Sequence, residues 1–237
     1  MEPRFIDYQT VEASLDLLAL ARALEAGHRL PKAEISSTYL ERNGNTVISL
    51  WAWIDKIGIA VKTPTIFPTN VGLGLSSVNG GFCLYSAQTG VLLAHIDFHA
   101  ITKWKTAADS LLASLKLAPK SSKNIVIVGA GTVARSMFEA YQAGFPGAHI
   151  NVWNRTLKRA EELAVDYPEV TMVDELERSV RCADITCCAT MSTEPLLRGA
   201  WLRPGQHVDL FGFYLPHMRE ADDEAILRSK VYVDSRK

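Results

Sequence analysis

Cysteine is scarce in this 237-residue chain: Cys83, Cys182, Cys187 and Cys188 are the whole supply. Their spacing fits neither a zinc site nor a disulfide framework, so a metal centre and a disulfide-stapled secreted fold are both excluded as readings. Cys187 and Cys188 adjoin inside an apolar run and read as reduced core thiols. An excess of one charge is also lacking, with 25 basic against 26 acidic side chains and a net charge of −1. That balance gives no reason to expect nucleic acid or an anionic membrane as partner. Long apolar runs are missing too. The longest, at 15–24, is broken by Asp16 and Arg22 and is too short to span a bilayer. The opening MEPRF has no apolar stretch or cleavage site of a signal peptide, so a cytoplasmic protein is expected. No serine, cysteine, histidine and acid combine as a nucleophilic set.

What remains is ordinary globular composition, 48% apolar and 22% charged, enough for one or two cored domains. Residues 10–27 repeat apolar side chains at helical spacing, with Thr10 as N-cap and Gly27 as stop. Residues 34–54 form two β-like runs joined by Asn43-Gly44-Asn45, a hairpin turn signal. A strand is expected at 58–67, a second hairpin at 80–97 turning near Gln88-Thr89-Gly90, and a helix at 102–117. The polar connector LAPKSSKN (117–124) divides an α+β domain, 1–118, from a second domain, 119–237. Beyond it, short β-branched runs at 124–129, 149–153, 170–173, 184–189, 206–211 and 230–233 alternate with helical segments. This is the rhythm of an α/β Rossmann fold, a doubly wound parallel sheet of six strands in the order 3-2-1-4-5-6.

GAGTVA (Gly129, Ala130, Gly131, Thr132, Val133, Ala134) follows the first of these strands and opens a helix, as a dinucleotide phosphate loop does. Gly129 permits the turn, Gly131 lets the backbone approach the pyrophosphate, and Ala134 keeps helix and sheet close. At the end of the second strand an acid would hold the ribose hydroxyls of NAD. Here the chain reads INVWNRTLKRA, and Asn154, Arg155, Thr156 and Lys158 stand in that place. A guanidinium that pairs with a 2′-phosphate in bidentate fashion points to NADPH, with NADH as the less favoured cofactor.

Four further stretches carry a resemblance over nearly the whole chain. TKWKTAADS (102–110), VGAGTVARS, CCATMSTEPLL (187–197) and the closing block GQHVDLFGFYLPHMREADDEAI with VYVDSR together resemble the ornithine cyclodeaminase/mu-crystallin family. WKTAADS and MREADD are most similar to its Δ1-pyrroline-2-carboxylate reductases. The resemblance implies a homodimeric, NAD(P)H-dependent reductase of cyclic imino acids whose α+β domain binds substrate and dimerises. It places Lys62 over the substrate, Lys105 and Lys32 on its carboxylate, Thr106 at the cofactor phosphates, and Thr190 and Met191 near the nicotinamide. Lys62 and Lys105 carry the catalysis in this reading, facing the substrate from the first sheet and the start of the following helix.

The family's cyclodeaminases have a catalytic aspartate where this chain has Tyr214, which argues against ornithine deamination. Members continue beyond the point where this chain ends at VDSRK. A non-catalytic NADPH-linked binding protein is therefore a further alternative. Asp97 of the 80–97 hairpin, near His95, is read as forming a local bond or contacting the active-site rim, and Asp209, near His207 on the fifth strand, as lining the cleft or as structural. Trp51, Trp53 and Trp104 are read as core or subunit-interface aromatics.

Overall fold

In the computed structural model, which describes residues 2–212 and 217–233, the chain forms two compact units, Met1–Lys105 and Thr106–Lys237. No helix of the described residues is long and apolar enough to cross a membrane.

The first unit is built on a six-stranded sheet. Its strands are β1 (Arg4–Ile6), β2 (Glu34–Arg42), β3 (Asn45–Ile54), β4 (Gly58–Ile66), β5 (Val78–Tyr85) and β6 (Leu92–Ile96), in the order β1-β6-β5-β4-β3-β2. All pairs are antiparallel except β1 with β6. The β2–β3 turn forms because Asn43 and Gly44 both take positive φ, 52° and 74°, the geometry a two-residue hairpin needs. Gly90 (φ 69°) turns the later hairpin.

Side-chain alternation separates two faces. One row runs Leu50, Lys62, Phe82, Ile96 and Ile6 across the strands; the next, on the opposite face, runs Trp51, Val61, Cys83, His95 and Phe5. His95 stacks on Phe5 with 5.3 Å between ring centres.

The single helix expected at 10–27 is two helices, α1 (Tyr8–Ser14) and α2 (Leu17–Gly27). Asp7, not Thr10, caps the first, accepting from the Thr10 amide at 2.8 Å. Asp16 caps the second, accepting from the Ala19 amide at 2.7 Å. An aspartate that bonds the backbone two or three residues ahead competes with helix continuation, and here it wins. Helix α3 (Phe98–Leu117) begins one turn before the expected 102 because Asp97 accepts from the Ala100 amide at 2.9 Å. The connector 117–124 lies within the second unit.

That unit carries a parallel sheet of β7 (Asn124–Val128), β8 (His149–Trp153), β9 (Thr171–Met172), β10 (Ile185–Cys188) and β11 (His207–Leu210), in the order β11-β10-β7-β8-β9. Helices α4 (Thr132–Gly144), α5 (Leu157–Asp166) and α6 (Leu176–Cys182) connect the strands, and α7 (Asp223–Leu227) follows. Ile125–Val128 and Ile185–Cys188 are buried throughout, which is why they are apolar but for Thr186. Burial also raises the thiol pKa values of Cys187 and Cys188 well above normal.

The Rossmann order is thus 3-2-1-4-5, and the sixth strand expected at 230–233 is absent. Among the described residues, 231–233 are exposed and pair with no strand. A β-branched run with neither ladder partner nor covering layer has nothing to hold it extended in a sheet.

Candidate active site

The sheet order reverses direction between β7 and β10, and in open α/β sheets ligands bind outside the carboxyl ends at such a point. Gly129 leaves β7 with φ 120°, and a Cβ there would lie 2.6 Å from the Ala189 carbonyl at the end of β10. Only glycine allows that turn and that closeness together. A Cβ on Gly131 would meet nothing within 4 Å, so this backbone faces open space. Gly131 is the N-cap of α4, and among the described residues no side chain caps this helix start. Ala134 is fully buried, as close packing of helix and sheet requires. An uncapped helix terminus behind an open glycine suits a pyrophosphate, so these residues fit a dinucleotide.

Asn154, Arg155, Thr156 and Lys158 follow β8. The Asn154 side-chain Nδ2 donates to the Thr156 carbonyl at 2.8 Å, fixing the turn, while Arg155, Thr156 and Lys158 are exposed. Thr156 is the N-cap of α5, whose first-turn amides also lack a side-chain partner.

Thr190 and Met191 lie just beyond β10. Met191 is exposed, while Thr190 is engaged by Glu220. The Glu220 carboxylate accepts from the Thr190 amide (2.7 Å), the Thr190 hydroxyl (2.8 Å) and the Gly212 amide (2.8 Å). Burial pushes the Glu220 pKa up, and the donors from Gly212 and Thr190 work against that shift. Glu220 lies inside the MREADD motif that carries the resemblance, but nothing in the sequence gave it a role, because its partners Thr190 and Gly212 are distant along the chain.

Thr106 and the buried Ser110 and Ser114 stand four residues apart along α3, on one stripe of the helix. Both serine hydroxyls donate to Asp209, at 2.7 and 2.9 Å, and the Tyr141 hydroxyl of α4 donates there as well. His207 lies 3.0 Å from the other carboxylate oxygen. Burial alone would raise the Asp209 pKa; the bond and charge of His207, with the hydroxyl bonds, hold it below normal. The structural reading of His207 and Asp209 is what the structure shows: together they tie α3 and α4 to β11.

In the first unit, the TKWKT segment divides its side chains by helical geometry. The Lys103 ammonium and Trp104 indole both donate to Glu12 of α1, at 2.8 and 2.5 Å. Phe98 and Lys105 are seven residues apart and share the other stripe. Lys62 of β4 meets both. Its ammonium lies 5.1 Å from the centre of the Phe98 ring, and burial followed by the charge of Lys105 lowers its pKa to about 8. Gly80 makes room for this arrangement, since a Cβ there would stand 2.4 Å from the Thr63 carbonyl and 2.7 Å from the Phe98 ring. Phe98 and Gly80 are site residues that sequence reasoning did not single out. Lys32 is exposed in the loop between α2 and β2, and Tyr214 lies outside the described residues.

The ornithine cyclodeaminase/mu-crystallin family profile matches residues 5–237. The chain is 40% identical over 239 residues to a Δ1-pyrroline-2-carboxylate reductase of Paracoccus denitrificans, covering 99% of the chain and 76% of that enzyme. It is 34% identical over 179 residues to the ketimine reductase mu-crystallin of Mus musculus, covering 75% of the chain and 57% of that protein. Among solved structures, that of Thermococcus litoralis Δ1-pyrroline-2-carboxylate reductase in complex with NADH and L-proline superposes with a TM-score of 0.85. Its identity is 28%, covering 98% of this chain and 76% of that one.

Proposed function

The chain belongs to the ornithine cyclodeaminase/mu-crystallin family, and on that premise we propose that it is an NAD(P)H-dependent reductase of cyclic imino acids such as Δ1-pyrroline-2-carboxylate. The observation that carries this reading is Lys62. It is an amine whose pKa is brought down to about 8 by burial and by a second cation, Lys105. A cyclic imino acid pairs a C=N bond with an adjacent carboxylate. It needs fixed positive charge for the carboxylate and a proton for the imine nitrogen. Lys105 meets the first need, assisted by Lys32, and Lys62 meets the second, because a general acid works best with a pKa near the working pH. The nicotinamide, when bound, supplies the hydride. The 129–134 loop and Thr106 hold its phosphates, Asn154, Arg155, Thr156 and Lys158 surround the 2′-position and favour NADPH, and Thr190 and Met191 border the ring. The setting is the cytoplasm.

We propose a homodimer in which the Trp51 face of the first sheet is covered by a second copy. Trp51 and Trp53 are 46% and 45% exposed there, with Phe5 more exposed still. Burying an aromatic side chain is worth several kcal/mol at about 25 cal/mol per Å². Trp51→Glu is expected to convert the dimer to monomer in sedimentation at micromolar protein. An unchanged dimer mass would contradict this assignment.

A substrate panel tests the reading. Δ1-Pyrroline-2-carboxylate and its six-membered homologue are expected to be reduced, and ornithine with NAD to release no ammonia. The chain has Tyr214 in place of the cyclodeaminase aspartate, and a tyrosine side chain, with an unperturbed pKa of about 10, is a poor base near neutrality. Robust turnover of ornithine to proline would replace this reading with the lyase one.

A further inference from the structure

Glu220 is 2% exposed and is not anchored by its carboxylate alone. Its carbonyl accepts from the amides of Leu196 and Leu197, both at 2.9 Å, and the Arg219 amide donates to the Ser192 carbonyl at 2.7 Å. Ala221 then bridges to Leu197. The side chain therefore emerges from a backbone fixed on both sides, against the segment that follows β10. Its partners there, the Thr190 amide, the Thr190 hydroxyl and the Gly212 amide, are all donors, as an ionised carboxylate requires. The approach leaves no slack. A Cβ on Gly212 would fall 1.6 Å from the Thr190 carbonyl and 2.3 Å from Glu220 Oε1.

Glu220 thus joins Thr190, just beyond β10, to Gly212, just beyond β11, at the carboxyl edge of the sheet beside the β7–β10 reversal. A buried charge is costly even with partners, and backbone amides at a loop junction can be satisfied by neutral acceptors. Its position suggests a use for the charge itself. The two states of a nicotinamide differ by one positive charge on the ring, and a fixed negative charge in a low-dielectric setting distinguishes them.

We infer that Glu220 is a positioning residue of the nucleotide site, holding the ends of β10 and β11 together behind Thr190 and biasing the site toward the oxidised dinucleotide. The inference rests on the reading of Thr190 as a neighbour of the nicotinamide. Glu220→Gln keeps the shape and removes the charge.

The test is the dissociation constant of NADP⁺ and, separately, of NADPH, measured by calorimetry on the full chain without substrate. The ratio of oxidised to reduced Kd is expected to rise at least threefold in Glu220→Gln. A merely structural role would weaken both forms alike, so an unchanged ratio overturns the inference. Should Glu220→Gln not fold, Thr190→Val is read instead. It removes one donor while leaving the charge and both amides, so the ratio is expected to fall, and a ratio at or above wild type overturns the inference. If the wild-type chain binds neither dinucleotide, the proposed function itself fails, a result distinct from either of these.

Discussion

Lys62→Met is expected to lower kcat/KM for Δ1-pyrroline-2-carboxylate at least thirtyfold, and Lys105→Met to do the same. At an effective dielectric of 20, a cation 4 Å from a carboxylate gains roughly 4 kcal/mol before desolvation is charged against it. Loss of such a partner, the role proposed for Lys105, costs about 2–5 kcal/mol, and thirtyfold corresponds to about 2; loss of a general acid, the role proposed for Lys62, typically costs about a hundredfold or more. Lys105→Arg retains substantial activity, since a guanidinium restores the charge. The pH profile separates the two lysines. With the Lys62 pKa at about 8, the ammonium proposed to protonate the imine is present below that pH and lost above it, so kcat/KM is expected to fall on the alkaline side.

Stability moves the other way. A lysine whose folded pKa is depressed below its unfolded value of 10.5 binds fewer protons when folded, so its contribution to stability rises with pH between about 8 and 10.5. At about 1.4 kcal/mol per pH unit, the charged Lys62 costs the fold roughly 3 kcal/mol at neutrality. Lys62→Met should therefore leave Tm unchanged or raise it while activity collapses. Wild-type rates of imine reduction in both methionine variants would show that neither lysine serves the substrate.

Arg155→Asp is expected to weaken NADPH binding at least tenfold and to leave NADH binding similar or better. Each charge-assisted bond to a 2′-phosphate is worth about 1.5–3 kcal/mol, and an aspartate there both removes these bonds and repels the phosphate. The same carboxylate can accept from ribose hydroxyls, which is why NADH is spared. Arg155 is exposed after β8, where its guanidinium can reach a ligand without unfolding anything. Tighter binding of NADH than NADPH by the wild-type chain would contradict the assignment.

Local signals in the sequence carried most of the fold. Asn43-Gly44 had to turn because its two positive φ angles match a hairpin of two residues, and Gly129 had to be glycine because it packs on Ala189. Strands β7 and β10 were legible because burial on both faces leaves them largely apolar. The division of residues 10–27 was missed because apolar spacing continues through Leu15, while Asp16 decides the break with one hydrogen bond. The run at 230–233 has strand composition, but pairing depends on a neighbour that composition does not reveal. Lys62 and Lys105 were assigned to substrate through resemblance alone. The charge of Lys105 on Lys62, the seat of Lys62 over Phe98 and the space Gly80 leaves for that ring join residues distant in sequence. Glu220 was hidden for the same reason, since its partners lie 8 and 30 residues away.

The most direct test is to mix purified protein, NADPH and Δ1-pyrroline-2-carboxylate and to follow NADPH absorbance and proline together. One proline per NADPH oxidised, with the rate falling at least thirtyfold in Lys62→Met, is the predicted result. Tight NADPH binding with no oxidation in the presence of the imino acid would contradict a reductase and point to a binding protein.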